Sequence, residues 1–310
     1  MAIAGVVAGQ YGTKIQDITY AKSWLVKWYL QTDFRMVSST TYEADLKQGH
    51  QLDIRLKPDV TINTYTANAD ITFENPTTAT VRMTIDQALY FATAEDRVET
   101  QQADMDNRAA WMEDGMKQME ITVEKDCYEL WPTEAAASNS GATAGAAGIY
   151  NLGTKAAPVL LTKDNITEYI GRHASTLDDT EVPDAERNIV VPKWVRNLIV
   201  LSPEFKAANE TGDSVTAIRD RYIGKIMEFK VYLSNNLFVE TDGGAGSEIV
   251  TNIFSGHKSA IQFAGQLDIS STVEREARFD AGNKALFVYG RKVTKADGIT
   301  AGVVSQGSGA

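Results

Sequence analysis

Apolar residues return at steps of mostly three and four from Val98 through Met105, Ala109, Met112, Met116, Met119, Val123 and Cys127 to Leu130. Such spacing keeps one face of a helix apolar. Thr93, with Asp96 three residues on, approximates a capping box, and Trp131-Pro132 ends the run because proline cannot continue a helix. A helix from Thr93 to Trp131 would be roughly 57 Å long, against a usual length of about 11–12 residues. Few folds have a use for such a rod, so it constrains the architecture more than any other feature. Met112 and Met116 lie centrally on the stripe and are expected to be buried, and Gly115 is a candidate bend. A coiled coil would need a second long helix, which the chain lacks. A methionine-rich face adapting to varied partners is a second reading. The third is a helix with a sheet packed along its stripe, and the segment before it favours that one.

From His50 to Asp86 the apolar period is two. Leu52, Ile54 and Leu56, then Val60 and Ile62, then Ile71 and Phe73, then Val81, Met83 and Ile85 alternate with polar residues, and Asn75-Pro76 punctuates the run. This is a long antiparallel ribbon with one apolar and one charged face. A two-stranded ribbon is marginal in water by itself, so the apolar face must lie on something. Its own chain or a neighbouring copy would serve. Earlier still, Tyr20, Trp24 and Trp28 sit four apart and would form an aromatic ridge on a short helix.

The 310 residues are 43% hydrophobic and 23% charged, which excludes global disorder, and the formal net charge of -11 argues against a nucleic-acid binder that works by neutralising phosphates. The opening MAIAGVVAGQYG lacks a basic leader region, so a signal peptide is not expected. No run approaches the ~20 apolar residues that span a bilayer. The single cysteine, Cys127, sits on the helical stripe and reads as a small buried hydrophobe.

Residues 133–153 are a small-residue connector, and a helix follows with Ile166, Tyr169, Ile170 and His173 on one face. Then comes a tightly punctuated block from Val182 to Asn236. Val182-Pro183 opens a turn, Arg187 precedes the β-branched run Ile189-Val190-Val191, and Pro192 introduces the helical spacing of Trp194, Val195, Leu198 and Ile199. Ser202-Pro203 repeats that start ahead of Phe205. After Gly224, Met227, Phe229, Val231 and Leu233 alternate with Glu228, Lys230 and Tyr232 up to the Ser234-Asn235-Asn236 turn. Ala285-Leu286-Phe287-Val288-Tyr289 is apolar throughout, as expected of a strand buried on both faces.

The 182–236 block resembles the A-domain of tailed-bacteriophage major capsid proteins, in Val182-Pro183, Arg187, Pro192, Gly224, Phe229-Lys230-Val231-Tyr232 and Ser234-Asn235. Relatives often carry glycine before the aromatic, where this chain has Glu228. The element order resembles that family over nearly the whole chain. The resemblance implies an α+β chain with the Hong Kong ninety-seven fold: an N-terminal arm (1–35), an E-loop (36–87), a P-domain spine helix (88–133), an A-domain (134–254), P-domain strands (255–292), and a return to the A-domain with a small, polar tail (293–310). It further implies assembly into hexamers and pentamers of an icosahedral shell around double-stranded DNA, in a virion built in the host cytoplasm. The implied partners are further copies of the chain, a separate scaffolding protein, a portal and a decoration protein. The packaged DNA would be held without sequence-specific contacts, and no membrane is involved. An encapsulin-type shell enclosing cargo enzymes shares the fold and is the alternative; a cytosolic enzyme is the distant one.

Little in the chain speaks for catalysis. His50, His173 and His257 are widely separated, with no zinc-ligand spacing, and His173 reads as a satisfied helix-face residue. Asp178, Asp179 and Glu181 lack the glycine and spacing of a calcium loop and read as a solvated turn. Asp104 and Asp106 would project from different sides of a helix, and no G-x-S-x-G or phosphate-binding glycine motif occurs. Arg187, Arg219 and Arg221 are scattered and suit ion pairs between subunits better than nucleic acid. No catalytic, cofactor-binding or metal-ligating residue, and no cofactor, is expected.

Overall fold

The computed structural model describes residues 27, 29–45, 49–68, 70–96, 108–203, 225–241, 249–274 and 280–306. The aromatic ridge of Tyr20, Trp24 and Trp28, together with Asp104, Asp106, Phe205, Arg219, Arg221 and Gly224, lies outside those residues. In chain order the elements are the one-turn helix α1 (Phe34–Val37), β1 (Gln51–Arg55), β2 (Thr80–Thr84), β3 (Gln87–Asp96), the long helix α2 (Arg108–Thr133), β4 (Val159–Leu161), α3 (Ile166–Asp179), β5 (Arg187–Val191), α4 (Val195–Leu201), β6 (Lys225–Ile226), β7 (Phe229–Leu233), β8 (Val239–Thr241), β9 (Ile249–His257), β10 (Ile261–Glu274), β11 (Asp280–Val293) and β12 (Ile299–Gln306). No helix among the described residues is long and apolar enough to cross a membrane.

The long helix starts later than its stripe suggests. Thr93 is not a helix cap but sits in β3, opposite Asn283 of β11, so the expected helical run from 88 opens as a strand. The burial of Leu89 to Ala94 alternates at period two, and the partner strand arrives from almost two hundred residues away. That pairing overrides the local capping-box pattern. Val98 and Met105 lie outside the described residues. The helix is 26 residues, about 39 Å. Its burial is uneven. Val123, Cys127, Tyr128 and Trp131 are fully enclosed, whereas Met112 and Met116, expected in the core, are only half-buried. Gly115 marks a close approach: a Cβ there would meet the Phe91 ring at 2.6 Å. The glycine lets helix and strand touch.

Two sheets share this helix. The three-stranded antiparallel sheet has the order β10-β11-β3, and α2 crosses one of its faces. There Phe263 and Tyr289 stack at 5.7 Å, with Phe34 edge-on to Phe263 at 4.9 Å. Asp126 of the helix accepts from Tyr289 Oη at 2.6 Å and pairs with Arg291 at 2.5 Å, which fixes the helix on β11. The seven-stranded mixed sheet has the order β4-β12-β9-β5-β7-β6, with β8 on β9. Ile189, Val191, Phe229, Val231 and Ile253 turn to one side, under α3 and α4. Val190 and Phe254 turn to the other, against Tyr128 and Trp131 of α2.

The strand buried on both faces is therefore β5, all five of whose residues are enclosed, and not the 285–289 run. That run is the middle of β11, where Leu286 and Val288 turn away from the helix and are only partly covered. The end of the chain also departs from the expected tail. Ile299–Gln306 is a strand lodged between β4 and β9. Its small residues are what the place demands, since a Cβ on Gly302 would come within 2.2 Å of the Tyr169 hydroxyl. β9 stays in this sheet to His257, past the expected break at 254.

Candidate assembly surface

The ribbon is where the fold meets its own edge. β1 and β2 pair antiparallel from Gln51↔Thr84 to Arg55↔Thr80. Beyond the ladder the two arms hold the same register: Leu56 N donates to Ala79 O at 2.9 Å, and Thr61 N donates to Glu74 Oε1 at 2.7 Å. The chain reverses at Ala67-Asn68, where Asn68 takes a positive φ of 64°, a conformation asparagine tolerates better than most residues. In this register Leu52, Ile54, Val60 and Ile62 share a face with Ile71, Phe73, Val81 and Met83.

That one apolar face has two fates. At the base, Ile54 and Met83 are 6% and 0% exposed and pack with Ile85, Ala264 and Val288 on the face of the three-stranded sheet that α2 leaves free. Gly290 makes the crossing possible, because a Cβ there would stand 2.6 Å from Thr84 O. At the tip, Ile62 and Phe73 are 90% and 93% exposed. The two readings of the ribbon thus divide along its length: the base lies on its own chain, and residues 57–68 and 70–78 project beyond it. On the polar face Arg82 grips Asp53 through two hydrogen bonds of 2.7 and 3.0 Å, which hold the Asp53 carboxyl below the usual carboxylate range.

A second apolar row is open beside the ribbon base. Tyr90, Leu286 and Ile269 lie opposite one another across β3, β11 and β10, and Tyr90 and Ile269 are exposed. An open cleft of about 960 Å³ flanks α3, with Tyr150, Arg172, Asp178, Met227 and Glu228 among its walls. Arg172 is engaged with Glu168 at 2.8 Å.

The residues weighed for chemistry serve the scaffold. His173 Nδ1 bonds the Thr300 hydroxyl at 2.6 Å, and Thr300 bonds Ser255 at 2.6 Å, so the cluster ties α3 to β12 and β9. It is sealed from solvent, and burial pushes the His173 pKa down to about 3, leaving a neutral ring at physiological pH. His50 is exposed, and His257 Nδ1 accepts the Ser259 N–H at the start of a short turn. Cys127 is buried among aromatics, and burial pushes its thiol pKa up. Among the described residues no group of three acidic, histidine or cysteine side chains gathers as a metal site would.

Two expectations need correction here. Asp178 and Asp179 are not simply a solvated turn: Asp178 pairs with Arg187 at 2.7 Å, and Asp179 accepts the Ala146 N–H at 3.0 Å. Arg187 is an intrachain hub. Its fully buried guanidinium also pairs with Asp184 at 2.9 Å and donates to the Pro183 and Val182 carbonyls. Burial of so large a cation requires partners on every side, and β5 delivers it into the turn that Val182-Pro183 forms. Across it, Met227 and Glu228 form the tight turn between β6 and β7 with φ of 45° and 71°. The turn keeps a glycine-like geometry although Glu228 occupies it, at a cost of about 1–2 kcal/mol.

No family model matches this chain, and no curated protein matches it. Solved structures do. A structure from Mycobacterium phage Che8 aligns over 94% of this chain and 97% of its own, with 20% identity and a TM-score of 0.72. The capsid structure of cyanophage P-SCSP1u aligns over 99% and 97%, with 12% identity and a TM-score of 0.71. The capsid of Ralstonia phage GP4 aligns over 99% and 100%, with 13% identity and a TM-score of 0.66. The chain has a phage capsid fold. At such low identities the agreement lies in the path of the backbone and not in the sequence.

Proposed function

We propose that this chain is a major capsid protein that assembles into hexamers and pentamers of an icosahedral shell around double-stranded DNA. The observation that carries the reading is the continuous apolar face of the ribbon, buried at its base and bare at its tip, on a chain with the capsid fold from end to end. A bare Ile62/Phe73 face is costly in water, and covering it with a neighbouring copy recovers that cost in every subunit of a closed shell. In this reading residues 57–78 are the reach of an E-loop, α2 with the three-stranded sheet is the P-domain, and the seven-stranded sheet is the A-domain. Residues 1–35 are the N-terminal arm, which binds neighbours. The shell acts by association and not by turnover. A separate scaffolding protein, a portal and a decoration protein are its partners, and it is assembled in the host cytoplasm before taking its place in the virion.

A cargo-enclosing encapsulin shell shares the fold, but the matched structures named above come from phages, which favours the viral shell. Electron microscopy of the purified protein, alone and with the scaffold, tests the proposal. Closed shells or capsomers are expected. A homogeneous monomer at high concentration under all of these conditions would overturn it, and shells filled with host enzyme in place of DNA during infection would favour the encapsulin reading.

A further inference from the structure

Glu124 is the one fully buried carboxylate of α2, and none of the described cations pairs with it. It meets three parts of the chain at once. Its Oε1 accepts the backbone N–H of Asp33, at the entry to α1, at 2.6 Å. Its Oε2 accepts the side-chain amide of Asn236, on the segment between β7 and β8 of the seven-stranded sheet. The buried hydroxyl of Tyr128, one turn along α2, faces it as well. A second acid, the Asp33 carboxyl, acts on it through space, as does the buried Cys127 thiol; Asp33 is itself mostly buried and held by Gln31 Nε2 at 3.2 Å. A buried carboxylate held only by neutral donors beside another acid is poorly compensated. The Oδ1 of Asn236 is buried without a partner, so an acceptor for a carboxyl proton lies within one amide rotation.

We infer that Glu124 is a proton-operated joint: with a proton it locks the N-terminal segment, the long helix and the seven-stranded sheet together, and without one it strains their junction. In the protonated state the Asn236 amide rotates, so that Oδ1 accepts the carboxyl O–H and Nδ2 gives up its bond to Oε2, while the other oxygen keeps the Asp33 N–H. In the ionised state the charge stays buried and Asn236 Oδ1 stays bare. Desolvation, with the Asp33 charge second to it in raising the value, lifts the Glu124 pKa, while the Asp33 N–H and Asn236 amide donors and the nearby Tyr128 hydroxyl pull the other way. Because the native value lies above the unfolded one, the folded chain binds the proton more tightly. The stabilisation is complete below the unfolded value and is lost as pH rises through the native value. The joint concerns the single subunit and does not depend on shell assembly.

The test compares thermal unfolding of the full chain, wild type and Glu124→Gln, from about pH 5 to about pH 8. The amide of Gln mimics the protonated acid. The difference in Tm between variant and wild type should be small at the acid end and grow in favour of the variant as pH rises. Taking this difference also removes the opposing pH dependence of His173, which both proteins share. Amides of Asp33–Val37 should be better protected at acid than at neutral pH in wild type, after correction for intrinsic exchange, and equally protected in the variant. Asp33→Asn, which keeps the backbone donor but removes the neighbouring charge, should move the wild-type midpoint to lower pH. Parallel Tm profiles for wild type and Glu124→Gln would overturn the joint. Should the Gln variant not fold, the carboxyl infrared band of isotope-edited wild type decides: a protonated Glu124 above the ordinary glutamate range supports the inference, and full ionisation there refutes it.

Discussion

The base and the tip of the ribbon carry the same alternation of apolar and polar residues, yet one end is core and the other is bare. Ile54 and Met83 are enclosed by Ala264 and Val288, while Ile62 and Phe73, on the same face, touch no such surface. The pattern of a strand therefore tells which face seeks cover. It does not tell who provides it. At the base the provider is a sheet of the same chain, which the glycine at 290 allows to come close; at the tip, on the proposed reading, it is another copy.

The sharpest way to break this comparison is to place a charge at each end. Met83→Asp buries an unpaired carboxylate and removes core contacts, so it should destabilise the subunit by several kcal/mol, on the order of 4, and prevent soluble expression. Phe73→Asp should leave the stability of the unassembled subunit within about 0.5 kcal/mol of wild type and abolish shells. Thermal unfolding and electron microscopy of the two variants check both halves. Equal loss of stability would mean that the tip, too, packs on its own chain.

Hydrogen exchange gives a finer cut along the ribbon. Amides of Leu52–Ile54 and Arg82–Thr84 should be protected in unassembled subunits as well as in shells, because the base belongs to the subunit's own core. Those of residues 57–78 should exchange fast in subunits and slow down only on assembly. Fast exchange at the base in subunits would assign the whole ribbon to the neighbour.

Acid should separate the regions in another way. His173 is buried neutral between α3 and the seven-stranded sheet, with its pKa pushed down to about 3 from 6.5, so its contribution is present above the unfolded value and is lost as pH falls through this window. The buried side chains of the ribbon base, Ile54, Met83 and Ile85, do not titrate. Acid denaturation of wild type should be steeper than that of His173→Gln between about pH 6 and pH 4, with ribbon-base protection lost only when the whole subunit unfolds. Identical acid profiles would show that the cluster carries no such load. The smallest effect belongs to Arg82→Ala, which removes an exposed pair with Asp53: a slight loss of stability at low salt that disappears as salt is added. A loss insensitive to salt would point to lost packing of the arginine stem instead.

Much of this was legible before any coordinate. The alternation of residues 51–86, the stripe ending at Trp131-Pro132, and the punctuation from Val182 to Asn236 are local patterns, and local patterns follow from the 2.0 and 3.6 periodicities of the backbone. What escaped was non-local. Thr93 looks like a cap until β11 is set beside it, and the small, polar stretch after Thr300 looks like a tail until Tyr169 and β9 are seen to need it. Glu124 gave only a faint signal, an acid one position past Val123 on a widening apolar stripe. The role of Arg187 gave none beyond its place in the block.

By itself the chain determined which residues wish to be buried, on which face, and over what length, because side-chain chemistry and backbone geometry act within a few residues of one another. Only the tertiary structure decided which of those faces find cover at home. It set Met83 under the ribbon and left Phe73 in water, enclosed Tyr128 and Trp131 between two sheets while Met112 stayed half-open, and closed a carboxylate and a guanidinium into the interior at Glu124 and Arg187. The reason is physical: burial is a property of pairs of distant surfaces, and a sequence read along its length shows each surface but not its mate.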